Sequence, residues 1–219
     1  MTNLVDRYDA LLLQLPYLGN IQFYSKFCLG LPIVFEQHEN YNKGSYRNRC
    51  LIASSNGPLR LSIPLQRGKH ERLPIREVRI SYRENWPIQH WRTIQAAYGK
   101  SPFYDFYAPE LETILLKMHD FLFDLNVEVH EFLMECIGLD NSVTFSTQFE
   151  LEPERQLDFR QVISPKQSHQ EDPWFASVPY GQVFEDRLGF LDNLSVLDLL
   201  FCYGPESLRL LERSVPVVD

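Results

Sequence analysis

The chain has 219 residues, of which 44% are apolar and 23% charged, a composition that excludes disordered, collagen-like and coiled-coil classes and predicts one domain spanning 1–219 with a real core. Its net charge is −8, which argues against the wide basic footprint of a nucleic-acid-binding protein. No apolar run approaches the roughly 20 residues that span a bilayer, and the first residues lack a basic stretch followed by an apolar one, so a cytoplasmic protein without a membrane span is expected.

Ala10 to Leu15 and Leu31 to Glu36 are short apolar runs that read as buried strands. Between them Ile21 to Leu29 reads as a helix started by Leu18-Gly19-Asn20 and stopped at Gly30. A strand–helix–strand unit of this kind makes the two strands adjacent and parallel, with Gln14 and Glu36 meeting at one edge. Arg49 to Ala53 and Leu59 to Pro64 flank Asn56-Gly57, a hairpin signal. Pro74 to Ile80 reads as a further alternating strand, which makes the sheet mixed.

From Asn85 the apolar spacing turns helical through Ile88, Trp91 and Ile94, with Gly99 as the stop. A second helix is predicted over about Pro109 to Phe123, with Met118 and Phe121 on its apolar stripe. A third runs through Leu125, Val129 and Leu133 to Gly138, and the two should pack as a hairpin. Ser142 to Thr147 reads as a strand, Glu150 to Pro173 as a linker or surface excursion, and Leu194 to Phe201 as a helix with Asn193 as its cap. The fold class is therefore α/β, with a mixed, mainly parallel sheet, a hairpin, flanking helices in a three-layer-like arrangement and a helical C-terminal part. Asp198 falls at the edge of the last helix's apolar stripe, so it should be structural and held by an Arg or a backbone donor from the first half. The four cysteines are too far apart for a zinc site or a disulfide scaffold and read as small buried apolar residues.

Charge divides by position. Residues 1–110, the sheet-rich part, hold 14 Lys/Arg and 9 Asp/Glu, whereas 111–219, the helix-rich part, hold 7 and 20. Within 40–100 twelve basic residues, among them Lys43, Arg47, Arg49, Arg67, Lys69, Arg72, Arg76 and Arg79, face only Glu71, Glu77 and Glu84. That concentration suits a phosphorylated or nucleotide-linked small molecule, or else pairs with the acidic half.

Phosphate-loop, dinucleotide-binding, zinc-peptidase and serine-hydrolase motifs are absent. What remains is a polar and aromatic block. Arg47 and Arg49 offer planar forks for phosphate, Lys43 a point charge, Gln14 and Asn48 orienting groups, and Tyr17, Tyr41 and Tyr98 stacking surfaces. His90 or Glu36 could serve as general base. Each also has a bland role: His90 as a packing residue, Arg47 and Arg49 as structural ion pairs, the tyrosines as core. His38 between Glu36 and Glu39 has no second His at ligand spacing, so neither a metal nor a cofactor is expected.

Gln14-x-Pro16-Tyr17, Tyr46-Arg47-Asn48-Arg49, Leu61-x-Ile63-Pro64, Trp86 with His90-Trp91, Tyr98 with Ser101-Pro102-Phe103-Tyr104, and Gly189-Phe190-x-x-Asn193-Leu194-Ser195-x-Leu197-Asp198 together resemble the WbqC-like family, over nearly the whole chain. The resemblance implies a place in bacterial O-antigen or surface-polysaccharide biosynthesis, and transfer of a glycyl or related acyl group onto an activated amino sugar. A non-catalytic binding or assembly protein of the same pathway is the alternative. Many members carry an acidic pair after the second strand and a second proline after the Pro-Tyr. Here Glu36-Gln37-His38-Glu39 and Gly19-Asn20 stand in those places.

Overall fold

The computed structural model describes residues 4–66 and 73–216. Arg67, Lys69, Glu71 and Arg72 of the basic segment lie outside them. Among the described residues are six strands, β1 (Ala10–Leu13), β2 (Ile33–Phe35), β3 (Arg49–Ser54), β4 (Gly57–Ser62), β5 (Val143–Phe145) and β6 (Gln156–Asp158), and eight helices. These are α1 (Leu4–Arg7), α2 (Ile21–Ser25), α3 (Trp86–Tyr98), α4 (Tyr104–Leu116), α5 (Leu122–Ile137), α6 (Glu185–Leu188), α7 (Val196–Tyr203) and α8 (Ser207–Arg213).

Strands β5-β2-β1-β6 form a sheet in which every neighbouring pair is parallel. Leu11 lies beside Ile33 and Leu157 in register, and all four residues of β1 are buried, as a strand covered on both faces requires. The expected β1–α2–β2 unit is present. Asn20 caps α2 by accepting from the Phe23 N–H, and Gly30 closes the following 3-10 turn at φ 76°. Gly19 is forced by space, because a Cβ there would lie 2.9 Å from Pro16 and 3.0 Å from Phe23 and Tyr24.

The expected hairpin β3–β4 is present, but its turn residues are Ser55 and Asn56, one earlier than expected, with Gly57 opening β4 at φ 107° opposite Ser54; it forms a two-stranded ribbon of its own, so the parallel sheet is not mixed. Three other expectations are corrected. Pro74 to Ile80 is not a strand. Ile75 and Val78, three apart, are the buried faces of a 3-10 turn, and Pro74, Arg79 and Ile80 make isolated bridges. The helix expected from Pro109 begins five residues earlier at Tyr104 and contains Pro109, while Met118 and Phe121 lie in the connection to α5. The segment 150–173 is no excursion, since it supplies β6 and buried Phe159, Arg160, Ile163 and Asp172.

Helices α4 and α5 pack as the expected hairpin. In the C-terminal part Ser195, not Asn193, caps α7. Asn193 instead adopts φ 48° and accepts from the Gln22 N–H. The 194–196 backbone is stitched to Leu51, Gly19 and Ile21, which draws α7 into the core between α2 and β3. All four cysteines are free; Cys50 is buried and the other three are half-buried. Among the described residues no helix is long and apolar enough to cross a membrane.

Candidate active site

Parallel strands end together, so the residues just past them share one edge. Gln14 follows β1, Glu36 follows β2, Ser146 follows β5, and Asp158 closes β6. Open parallel sheets bind ligands outside these carboxyl ends, at the point where strand order reverses. The chain moves from β1 outward to β2 and β5, then returns to the other side of β1 as β6. A cleft of about 360 Å³ opens at this edge, with His38, Glu39, Asn40, Arg47, Asp158 and Arg160 in its wall.

Two buried carboxylate–guanidinium pairs build that wall. The Arg47 Nε donates to Glu39 Oε1 at 2.8 Å, its Nη2 meets Glu39 Oε2, and the Gln14 amide donates to the same oxygen at 3.3 Å. Arg47 sits on the 3-10 turn Tyr46–Asn48; Ser45 caps that turn, and the Arg47 carbonyl accepts from Asn126 of α5 at 2.8 Å. Its backbone is thus fixed at both ends. Arg47 Nη1 is buried with no hydrogen-bond partner among the described residues.

Glu36 is held differently. It accepts from the Ser146 hydroxyl at 2.8 Å, from the His38 N–H at 2.7 Å and from Arg160 Nη1 at 3.2 Å. Arg160 also clamps Asp158 through Nε and Nη2, donates to the Leu151 carbonyl and lies against the Phe149 ring, 5.1 Å from its centre. Glu36, Glu39 and Asp158 therefore set three carboxylates against two guanidinium groups that already face them, and the net field of this set favours a cation over an anion. Burial raises the Glu39 carboxyl above its ordinary range, against the pull of Arg47.

The residues singled out in the sequence divide into two sets. Gln14, Glu36 and Arg47 come together at this edge; Lys43 is exposed nearby, beside Gly44. Arg49 does not share a face with Arg47, because a 3-10 turn ends between them. It begins β3, close enough to act on the Tyr41 hydroxyl, with its Nε buried and unpartnered among the described residues. Tyr41 donates to Asn48, whose amide donates to the Ile63 carbonyl, so both serve the turn–hairpin junction.

His90 lies away from the cleft wall, packed against Trp86 and Tyr17. Its Nδ1 is 3.0 Å from the Tyr17 hydroxyl, and burial lowers it to about 4, against the opposing pull of the Ser62 backbone, so the ring is neutral at pH 7. Tyr98 is wholly buried and accepts from the Ala53 N–H.

Sequence reasoning missed Asp158 and Arg160. The only signal was the two-residue alternation of Leu157 and Phe159 between the polar Gln156, Asp158 and Arg160, inside a stretch too polar to read as a strand.

A model of the WbqC-like protein family matches residues 14–176. That is well over half of the chain, and the chain belongs to this family. Searches of the curated proteins and of the solved structures find no match.

Proposed function

We propose that this chain is a cytoplasmic transferase of O-antigen or surface-polysaccharide biosynthesis that moves a glycyl or other acyl group onto the amine of a nucleotide-linked amino sugar at the carboxyl-edge cleft. The observation that carries this reading is Glu39: a buried carboxylate in the cleft wall, shifted toward greater basicity, beside an Arg47 N–H that has no partner among the described residues. Glu36 and Asp158 add negative charge that would draw the acceptor's ammonium group into the cleft. Glu39 would take a proton from it, freeing the nitrogen lone pair to attack the acyl carbonyl. A C–N bond forms and the bond to the donor's leaving group breaks with its electron pair; Glu39 returns the first proton to that leaving group, then takes the second proton that the nitrogen sheds in becoming an amide and passes it to solvent. Arg47 Nη1 would donate to the carbonyl oxygen as negative charge grows there. Lys43, exposed on the loop beside Gly44, would meet the phosphates outside the cleft.

Support comes from convergence: a binding or assembly protein would spread its charged groups over an exposed patch, whereas Glu39 and Arg47 bond to each other in the wall of one cleft, and Gln14 holds Glu39 in place. Titration with a uridine-diphosphate amino sugar and its hydroxyl counterpart, followed by mass spectrometry of mixtures with glycyl donors, tests the proposal. Amine-selective binding, with Glu39→Gln retaining binding and losing product, is the expected result. Equal indifference to both sugars would favour the assembly-protein reading.

A further inference from the structure

On the α5 side of the same strand ends is a second cavity, of about 290 Å³. Leu15, Phe35, Val143 and Phe145 form its sheet wall, and Val127 and Met134 its α5 wall. Two polar residues complete the lining: exposed Glu131 and buried His130. His130 is set among aromatic rings, edge-on to Phe35 at 4.8 Å between centroids and stacked near Tyr24 at 5.8 Å.

The protons on this histidine can be assigned. The Tyr24 hydroxyl is 3.2 Å from His130 Nδ1. Burial raises the phenol well above its ordinary value, so it keeps its proton, and Nδ1 is the acceptor within reach. Burial lowers His130 to about 3, so the ring is neutral and carries one proton. With Nδ1 accepting, that proton is on Nε2. Nε2 is buried and has no hydrogen-bond partner among the described residues. An unmet buried donor is costly unless something supplies an acceptor.

We propose that this cavity is a binding site for a small, neutral, apolar molecule bearing one hydrogen-bond acceptor, such as a ketone or ester carbonyl, which accepts from His130 Nε2. Apolar walls supply the contact area, and His130 supplies the one polar handle that fixes orientation. The ligand is neutral because the site offers no cation, and Glu131 beside it repels carboxylates. A dry cavity of about 150 Å³ holds a benzene-sized molecule, so this one takes a ligand of roughly ten non-hydrogen atoms. The site is independent of the carboxylate cleft, since Glu36 and Ser146, next in the chain after Phe35 and Phe145, bond to each other and to the other cluster.

The test uses two probes of nearly the same shape, cyclohexanone and methylenecyclohexane, of which only the ketone accepts a hydrogen bond. Each is titrated into the full-length protein labelled at histidine nitrogen, and the His130 ring resonances are followed by NMR. The expected result is saturable movement of the His130 signal by cyclohexanone, with about tenfold weaker binding of the alkene. His130→Phe should equalise the two probes, followed there by ligand-observed NMR. Val127→Trp, a half-buried position in the wall, should fill the cavity and abolish binding of both. The proposal is overturned if neither probe moves the His130 resonances, if wild type binds both equally, or if the ketone preference survives His130→Phe.

Discussion

Arg47 shows why a charged residue type underdetermines its role. Its sequence context offered a phosphate fork or a structural ion pair, with the acidic half as the source of partners; the partner is Glu39, eight residues earlier, and both are buried. Removing one member of such a pair strands the other, at a cost of about 3–5 kcal/mol. Arg47→Met should therefore lower the urea midpoint strongly, and Arg47→Lys, which keeps the charge but loses the two-pronged contact, should fall between it and wild type. A melt unchanged in both variants would contradict a structural pair. His90 supplies a pH test. Its folded value near 4 lies below the ordinary 6.5, so between these limits the unfolded chain binds more protons and stability falls as pH drops through that window. At pH 5 the loss is about 2 kcal/mol relative to pH 7. His130 acts in the same direction, whereas Glu39 and Asp198, raised in the fold, act oppositely. The difference between wild type and His90→Gln isolates the one group: the variant should lose about 2 kcal/mol less on acidification. Equal losses would mean that His90 is charged or solvated in the folded protein.

Elements are joined by buried polar clasps that no local pattern could announce. Lys26 follows α2, is fully buried, and meets Asp172 at 2.5 Å while donating to the Trp174 carbonyl; Gln22 of α2 holds the same Asp172 oxygen at 2.9 Å. This clasp pins the segment after β6, and with it Arg160, against the helix between β1 and β2. Lys26→Met alone should cost about 3–5 kcal/mol because Asp172 stays buried without its cation, and Lys26→Met with Asp172→Leu should recover most of that. Two singles that simply add would show the residues to be independent. The elements legible in the sequence were those whose own residues settle them: β1 and β2 by their continuous apolar runs, the β3–β4 hairpin by the Asn56-Gly57 dipeptide at its bend, and α5 by its 3.6-residue stripe and Gly138. Short β6 was not, because three residues paired only by tertiary context carry no period, and the Ile75–Val78 spacing of three was overread as a strand. The cleft was half legible for the same reason: Gln14, Glu36 and Arg47 stand in readable elements, whereas Asp158 and Arg160 do not.

The family match ends at residue 176, yet the core does not. Val196, Leu197, Leu199, Leu200 and Phe201 of α7 are essentially without solvent exposure, so the molecule closes only when its C-terminal part is added. Asp198 lies in that helix, and its expected structural role takes a form different from the expected arginine or backbone partner. The Tyr180 hydroxyl donates to it at 2.6 Å and the Gln182 amide at 2.8 Å; the Tyr98 hydroxyl of α3, which accepts from Ala53 of β3, also faces the carboxyl. One buried side chain thereby gathers α7, the 180–182 loop, α3 and the hairpin. Burial raises the Asp198 carboxyl above its ordinary value, although Tyr180, Gln182 and Tyr98 draw it back down. An Asp198→Asn variant keeps the size but loses the charge to which the Tyr180 hydroxyl and Gln182 amide donate at Oδ2, and it places an NH₂ group at the buried Oδ1 position, which has no hydrogen-bond partner among the described residues. The misfit should cost about 1–3 kcal/mol. Because the contacts span the whole fold, urea unfolding followed by far-UV circular dichroism and by tryptophan fluorescence should move together in the variant. A wild-type midpoint, or a split between the two probes, would show that Asp198 does not join the C-terminal helix to the rest of the molecule.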